Sequence, residues 1–224
     1  MFERYAIFYT PSGDLAAFGA AWLGWDSAQG CRLSHCDVAG VDVAKITATP
    51  RKYGLHATLK APFRLADGAS LEQVNRVAEA FAKGQAAFDI GALELRDDRG
   101  FVALRPQAAS ARLQNFACAI VKDFDHLRAP LTEADIARRR KAMLNARQDQ
   151  QMLDWGYPFI FEDFHFHLTL SGSLPKEVAT TVMTKLAPQV MPHVPNPFTI
   201  DAITVMGQDA DGMFHQIHRY ALTG

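Results

Sequence analysis

The chain carries one short motif twice, His56-Ala57-Thr58-Leu59 and His167-Leu168-Thr169-Leu170. Both copies lie in runs that read as β-strand, where residues i and i+2 share a face. Each copy therefore presents an imidazole beside a hydroxyl, with two apolar residues turned toward the core. Imidazole titrates near pH 6.5, so at neutrality one ring can accept a proton while a second donates one. Two such rings can split a phosphodiester without a metal. One deprotonates the attacking oxygen, the other protonates the leaving oxygen, and the hydroxyls of Thr58 and Thr169 hold the non-bridging oxygens. A lone His-x-Thr is a weak signal that a structural histidine explains equally well.

The surroundings of the motif also repeat. A polar, helix-like stretch follows each copy, Ser70 to Lys83 and Pro175 to Leu186. Then come Phe88-Asp89-Ile90-Gly91-Ala92-Leu93-Glu94-Leu95 and Phe198-Thr199-Ile200-Asp201-Ala202-Ile203-Thr204-Val205, at offsets of 88 − 56 = 32 and 198 − 167 = 31. Both alternate apolar and polar residues, the period of a half-buried strand. Both reach an acidic turn ending in glycine, Asp97-Asp98-Arg99-Gly100 and Gln208-Asp209-Ala210-Asp211-Gly212. A further strand follows each turn, Phe101 to Arg105 and Met213 to Ala221, closing a hairpin. The simplest account is a tandem duplication of strand–helix–strand–strand, which predicts a pseudo-two-fold α+β fold. Its mainly antiparallel sheets would flank a central cleft.

This arrangement resembles the 2H phosphoesterase superfamily, named for paired His-x-Thr/Ser motifs, and the resemblance covers roughly residues 3–222. Members include 2′,3′-cyclic nucleotide phosphodiesterases and RNA 2′–5′ ligase-like proteins. The words Tyr53-Gly54-Leu55-His56-Ala57-Thr58-Leu59-Lys60-Ala61-Pro62-Phe63, Trp155-Gly156-Tyr157-Pro158 and Phe166-His167-Leu168-Thr169-Leu170 look like its branch of phosphonate-metabolism proteins. The resemblance implies catalysis by His56 and His167, with His56 protonating the leaving oxygen and His167 activating water. It also implies a ribosyl phosphate substrate; no cofactor is expected.

The 224 residues suit one bilobal domain: a first lobe over 1–124, a second over 155–224, and a helical basic insertion over 125–154, with strand exchange between lobes left open. Hydrophobic residues make up 49% and charged residues 21%, ordinary for a globular protein. A net charge of −1 gives no global pull toward long nucleic acid. The expected partner is a small phosphorylated molecule (a cyclic phosphate, nucleotide or ribose phosphate) or an RNA end, with no obligate protein partner. Cys31, Cys36 and Cys118 form no regular framework and read as free thiols of a reducing compartment. The opening residues lack a signal-peptide layout, and no run approaches the roughly 20 apolar residues of a membrane span. A cytoplasmic enzyme is the expectation.

Strict alternation puts Gly54, His56, Thr58 and Lys60 on one strand face, and His165, His167, Thr169 and Ser171 on its counterpart. Lys60 is thereby a candidate phosphate contact and His165 a candidate base or sugar contact, although solvation and local backbone bonding explain them equally well. Tyr53 and Trp155, each beside a glycine just outside a motif strand, are candidates for stacking on substrate. Arg105, with His218 or Arg219, is a candidate for the cleft floor. His165-x-His167 could form a two-ligand metal edge, but the other copy has no second histidine, and no metal site is expected. In the insertion, Thr132-x-x-Asp135 has the form of a helix-capping box. Arg138-Arg139-Arg140-Lys141 follows it as either a solvated face or a lid over a polyanion. Two functions remain open: a metal-independent phosphodiesterase, and a non-catalytic module that binds nucleotides or RNA ends.

Overall fold

The computed structural model describes residues 2–98 and 100–224; Arg99 of the first acidic turn lies outside the described residues. The chain opens with β1 (Arg4–Tyr9) and α1 (Gly13–Leu23), followed by short strands β2 (Trp25–Asp26) and β3 (Cys31–Arg32) and one turn of helix, α2 (Val43–Ile46). The first repeat comprises β4 (Ala57–Phe63), α3 (Leu71–Lys83), β5 (Phe88–Asp89), β6 (Leu93–Asp97) and β7 (Val102–Pro106). Helices α4 (Ala111–Asp123), α5 (Glu133–Arg140) and α6 (Ala146–Trp155) come next. The second repeat runs through β8 (Leu168–Thr169), α7 (Lys176–Val190), β9 (Thr199–Ile200), β10 (Ala202–Gln208) and β11 (Phe214–Ala221) in the same order.

The duplication read from the sequence is thus present element by element. Strand β5 pairs antiparallel with β9, joining Phe88 to Ile200 and Asp89 to Thr199. Asp89 and Thr199 are counterparts in the two repeats, and antiparallel pairing of equivalent residues is what a local two-fold axis requires. The amide of Ile90 donates to the carbonyl of Phe198 at 2.9 Å, the mirror of the Phe88–Ile200 pairing.

The two larger sheets each combine strands from both halves of the chain. One has the order β11-β10-β1-β4, the other β6-β7-β8. All their pairings are antiparallel. The first motif strand therefore shares a sheet with the second repeat's hairpin, and β8 is held by the first repeat's hairpin. A division of the chain at 124 and 155 does not divide the sheets.

Local chemistry explains most boundaries. Ser70 and Gln73 close a capping box at α3, and Thr132 and Asp135 close the expected one at α5. Ser110 caps α4 by accepting from the amide of Leu113. Helix α1 ends at Leu23 because Gly24 adopts a left-handed conformation that turns the chain into β2. A continuous core, including Trp22, Phe124, Leu168 and Phe198, packs the helices onto the sheets. Among the described residues no helix is long and apolar enough to cross a membrane. The three cysteines are unbridged.

Candidate active site

His56 immediately precedes β4 and His167 immediately precedes β8, so each imidazole sits at the leading end of its motif strand. The two-fold arrangement brings both to one cleft of about 590 Å³, with Thr58 and Thr169 in its wall. That volume lies within the range that holds small ligands.

Both imidazoles are fixed in the same way. The Nδ1–H of His56 donates to the carbonyl of Gly54 at 3.0 Å, and that of His167 to the carbonyl of His165 at 2.7 Å. A carbonyl can only accept, which assigns the proton to Nδ1 in the neutral ring and leaves Nε2 free for chemistry. The carbonyl comes from two residues upstream in each copy, so the repeat preserves the orienting bond as well as the ring. At Gly54 this geometry needs φ 71° and ψ 176°, a region essentially closed to other residues. A Cβ there would also lie 2.8 Å from the hydroxyl of Ser27. The Nε2 of His56 lies 3.2 Å from Oγ1 of Thr58.

The environments of the two rings differ. His56 stacks on Phe8 at 4.0 Å and near Tyr53 at 5.4 Å between ring centroids. Burial, reinforced by the nearby His167 and only partly offset by the Gly54 carbonyl, pushes its pKa down to about 4. His167 is also pushed down by burial, but the His165 carbonyl and the Asp98 carboxylate oppose the shift, while Arg105 and His165 add to it. The displacement of His56 is the larger. Its sign has a consequence for folding. Below the ordinary value of 6.5 an unfolded chain takes a proton that folded His56 refuses down to about pH 4, so stability is lost as pH falls through that window. Urea unfolding at pH 7 and pH 5 should show a smaller acid loss in His56→Ala than in the parent; an equal loss would remove His56 as its source.

The other expected contacts divide. Tyr53 lines the cleft, stacked on Phe214 at 4.9 Å. His165 is exposed and lines an adjoining recess of about 310 Å³ with His167, Asp98 and Tyr157. Lys60 does not reach the cleft. Phe8 pairs with Thr58 but Ile7 pairs with Lys60, so one extra residue bulges from β4 and reverses the alternation that would have aimed Lys60 at the site. Its buried ammonium instead donates to the carbonyl of Val121 and to Oδ1 of Asp125, both at 3.0 Å. Trp155 is also displaced. It closes α6, and Gly156, at φ 80°, turns the chain so that Tyr157 enters the cleft while Trp155 lines a separate cavity of about 20 Å³. A Cβ on Gly156 would lie 2.7 Å from Cδ of Arg128.

Arg105 follows the register of His167, since Ala103 pairs with Thr169 and Leu104 with Leu168. Its guanidinium turns to Asp98 at 2.9 Å, so it acts on His167 through the field and does not form the floor. Arg219 is held by Asp201 and the Thr10 carbonyl, and His218 lies against Tyr220; neither lines the cleft. Ser171 lines it, but its hydroxyl already accepts from Val102 and donates to the Gly172 carbonyl. The basic run splits. Arg138 and Arg139 line the cleft, whereas Arg140 pairs outward with Asp149 at 2.8 Å. Arg4 enters the cleft without having been singled out in the sequence. Its signal was the alternation Arg4-x-Ala6-x-Phe8, which carries it onto the face of the ring beneath His56. Among the described residues no three His, Cys, Asp or Glu side chains gather in a way that could hold a metal, His165 and His167 included.

The chain is similar over 99% of its length to a solved phosphoesterase (99% of that chain, 14% identity, TM-score 0.44). It is similar in like measure to E. coli LigT solved with NADP⁺ and with 3′-AMP (each 13% identity, 100% of both chains, TM-score 0.44). Among curated proteins it is 37% identical over 218 residues to a ribose 1,5-bisphosphate phosphokinase PhnN of Janthinobacterium sp. (strain Marseille), covering 93% of this chain and 48% of that one. The PhnN of Laribacter hongkongensis (strain HLHK9) is 33% identical over 174 residues, covering 76% and 40%. The chain thus spans about half or less of these relatives. The model of the family described as a protein of unknown function, DUF1045, matches residues 58–215, well over half of the chain, and the chain belongs to that family.

Proposed function

We propose that the protein is a metal-independent phosphodiesterase that opens a cyclic or small phosphodiester of a phosphorylated ribose or nucleotide. The observation that carries this reading is the pair of imidazoles, each locked through Nδ1 to a carbonyl two residues upstream, facing one cleft beside a threonine. Hydrolysis forms a bond from water oxygen to phosphorus and breaks the bond from phosphorus to a ribose oxygen. One Nε2 takes the water's proton and the other Nε2 gives its proton to the departing oxygen.

The electrostatics favour an order opposite to the one the superfamily resemblance implies. His56, held neutral by burial, is suited to take the water's proton. His167, with Asp98 supporting its charged form, is suited to give one up. Thr58 and Thr169 then hold the non-bridging oxygens, which gain charge in the transition state. Because both rings are displaced downward, kcat/KM should be bell-shaped with its maximum below pH 6.5. The bound phosphate's negative charge raises both imidazoles, so the kcat profile should lie to the alkaline side of it. A profile centred above pH 7 for kcat/KM would contradict these environments.

Two relatives bear the name of a kinase of ribose 1,5-bisphosphate, which supports a phosphorylated ribose as the substrate. Kinase chemistry in this chain is disfavoured, because the phosphate-cradling pattern G-x-x-x-x-G-K-[S/T] occurs nowhere in its 224 residues. The test is a screen of 2′,3′-cyclic nucleotides, ribose cyclic phosphates and RNA ends with the purified protein, with and without EDTA. Turnover unaffected by chelator is expected. Binding without turnover across the panel would favour the alternative of a nucleotide-binding module, and abolition by EDTA would favour a metal at His165 and His167.

A further inference from the structure

We infer that the cleft contains a second anion subsite, formed by Arg4, Arg138 and Arg139, that takes a phosphate monoester carried by the same molecule as the reacting diester. The inference rests on the phosphodiesterase reading of the same cleft and names its substrate class more closely.

Charge is the first support. Three guanidinium groups line the cleft, and none of its lining residues is Asp or Glu, in a protein whose net charge is −1. A diester bears one negative charge, fewer than the three guanidinium charges even after the Asp135 carboxylate that Arg138 shares with Arg64 is counted. A phosphate monoester carries roughly −1.5 to −2 at pH 7.

The partners of each arginine are the second support. Arg4 donates through Nε to the neutral side chain of Gln208 at 2.6 Å, and no carboxylate ion-pairs with it among the described residues. Arg139 lies over the ring of Tyr157 at 5.2 Å, which fixes its plane. Its Nε is buried with no hydrogen-bond partner among the described residues. A buried donor left unmade is costly, and an incoming phosphate oxygen would relieve it. Arg138 is tethered by Asp135 at 2.8 Å, but that carboxylate also receives Arg64, so its single charge is shared between two cations. Arg140, the next residue along, is fully matched by Asp149 through two bonds and faces away. Within one short helix, the two cations facing the cleft are short of negative charge, while the one facing out is not. A guanidinium fork suits bidentate binding to a terminal phosphate.

The experiment compares adenosine 2′,3′-cyclic phosphate with its 5′-phosphorylated form, in the parent protein and in Arg139→Gln, with Arg4→Gln as a second variant should Arg139→Gln fail to fold. The parent should turn over the 5′-phosphorylated probe with a kcat/KM higher by about tenfold or more, the scale of one charged hydrogen bond. In the variant that ratio should fall toward one. Equal kcat/KM for the two probes in the parent would overturn the subsite and leave the phosphodiesterase reading standing. If the parent turns over neither probe, that reading fails, and calorimetric binding of the same two probes decides the subsite separately. Tighter binding of the 5′-phosphorylated probe that is lost in the variant would support it, and equal binding would overturn it.

Discussion

His56→Ala and His167→Ala should each lower kcat by about 10²- to 10⁴-fold on a cyclic phosphate, with both proteins remaining folded. Each substitution removes a proton-transfer group at the leading end of a strand, where neither ring supports the main core. Thr58→Ala and Thr169→Ala should cost less, because each removes one neutral hydrogen bond and leaves both transfers in place. The two histidine variants should then part company on a diester whose leaving group departs without a proton, such as a p-nitrophenyl ester. If His167 is the acid, as the Asp98 carboxylate beside it favours, His167→Ala should recover much of its activity on that ester while His56→Ala does not. The opposite pattern would restore the order implied by the superfamily resemblance. Full activity of either variant on the cyclic phosphate would remove the mechanism altogether.

What was legible in the sequence was local. Period-2 alternation, a capping residue and a glycine-ended turn each act within a few residues, so the repeat of strand, helix and hairpin and the pairing of His56 with His167 could be read directly. Partnership between strands was not legible, because it is decided by contacts such as Arg4 opposite Gln208, 204 residues apart. The helix cap at Asn145, which starts α6, carries the same signature as the one at Thr132 and was available in the sequence.

The candidate contacts failed where one residue of backbone geometry intervened. Alternation assigned Lys60 to the motif face, and a one-residue bulge in β4 moved it to the opposite one. Proximity to a glycine favoured Trp155, and the left-handed turn at that same glycine delivered Tyr157 instead. Such reversals leave no mark in residue type, since lysine, threonine and alanine tolerate either arrangement. Asp98 was visible as part of an acidic turn, but its influence on His167 depends on the β6–β7 hairpin lying against β8 of the other repeat. The basic run read as a single block, whereas helical geometry sends its members in different directions.

Lys60→Met should destabilise the protein by about 2 kcal/mol while leaving KM for the cyclic phosphate unchanged. The ammonium is 4% exposed and bridges Val121 of α4 to Asp125, tying the first motif strand to the helix behind it. Burial pulls its pKa down, the Asp125 carboxylate opposes that shift, and Arg128 adds to it. Methionine preserves the apolar stem, and the cost is therefore that of the charged hydrogen bonds and the unpaired Val121 carbonyl. Asp125 keeps two bonds from Arg128, at 2.9 and 3.3 Å. The loss should consequently fall short of the roughly 3–5 kcal/mol seen when a buried ion is left wholly alone. Denaturant unfolding of the double variant Lys60→Met/Asp125→Asn should show less than the sum of the two single losses, because each single substitution already breaks the same bridge. A raised KM with unchanged stability would instead return Lys60 to the phosphate-binding role that simple alternation predicts.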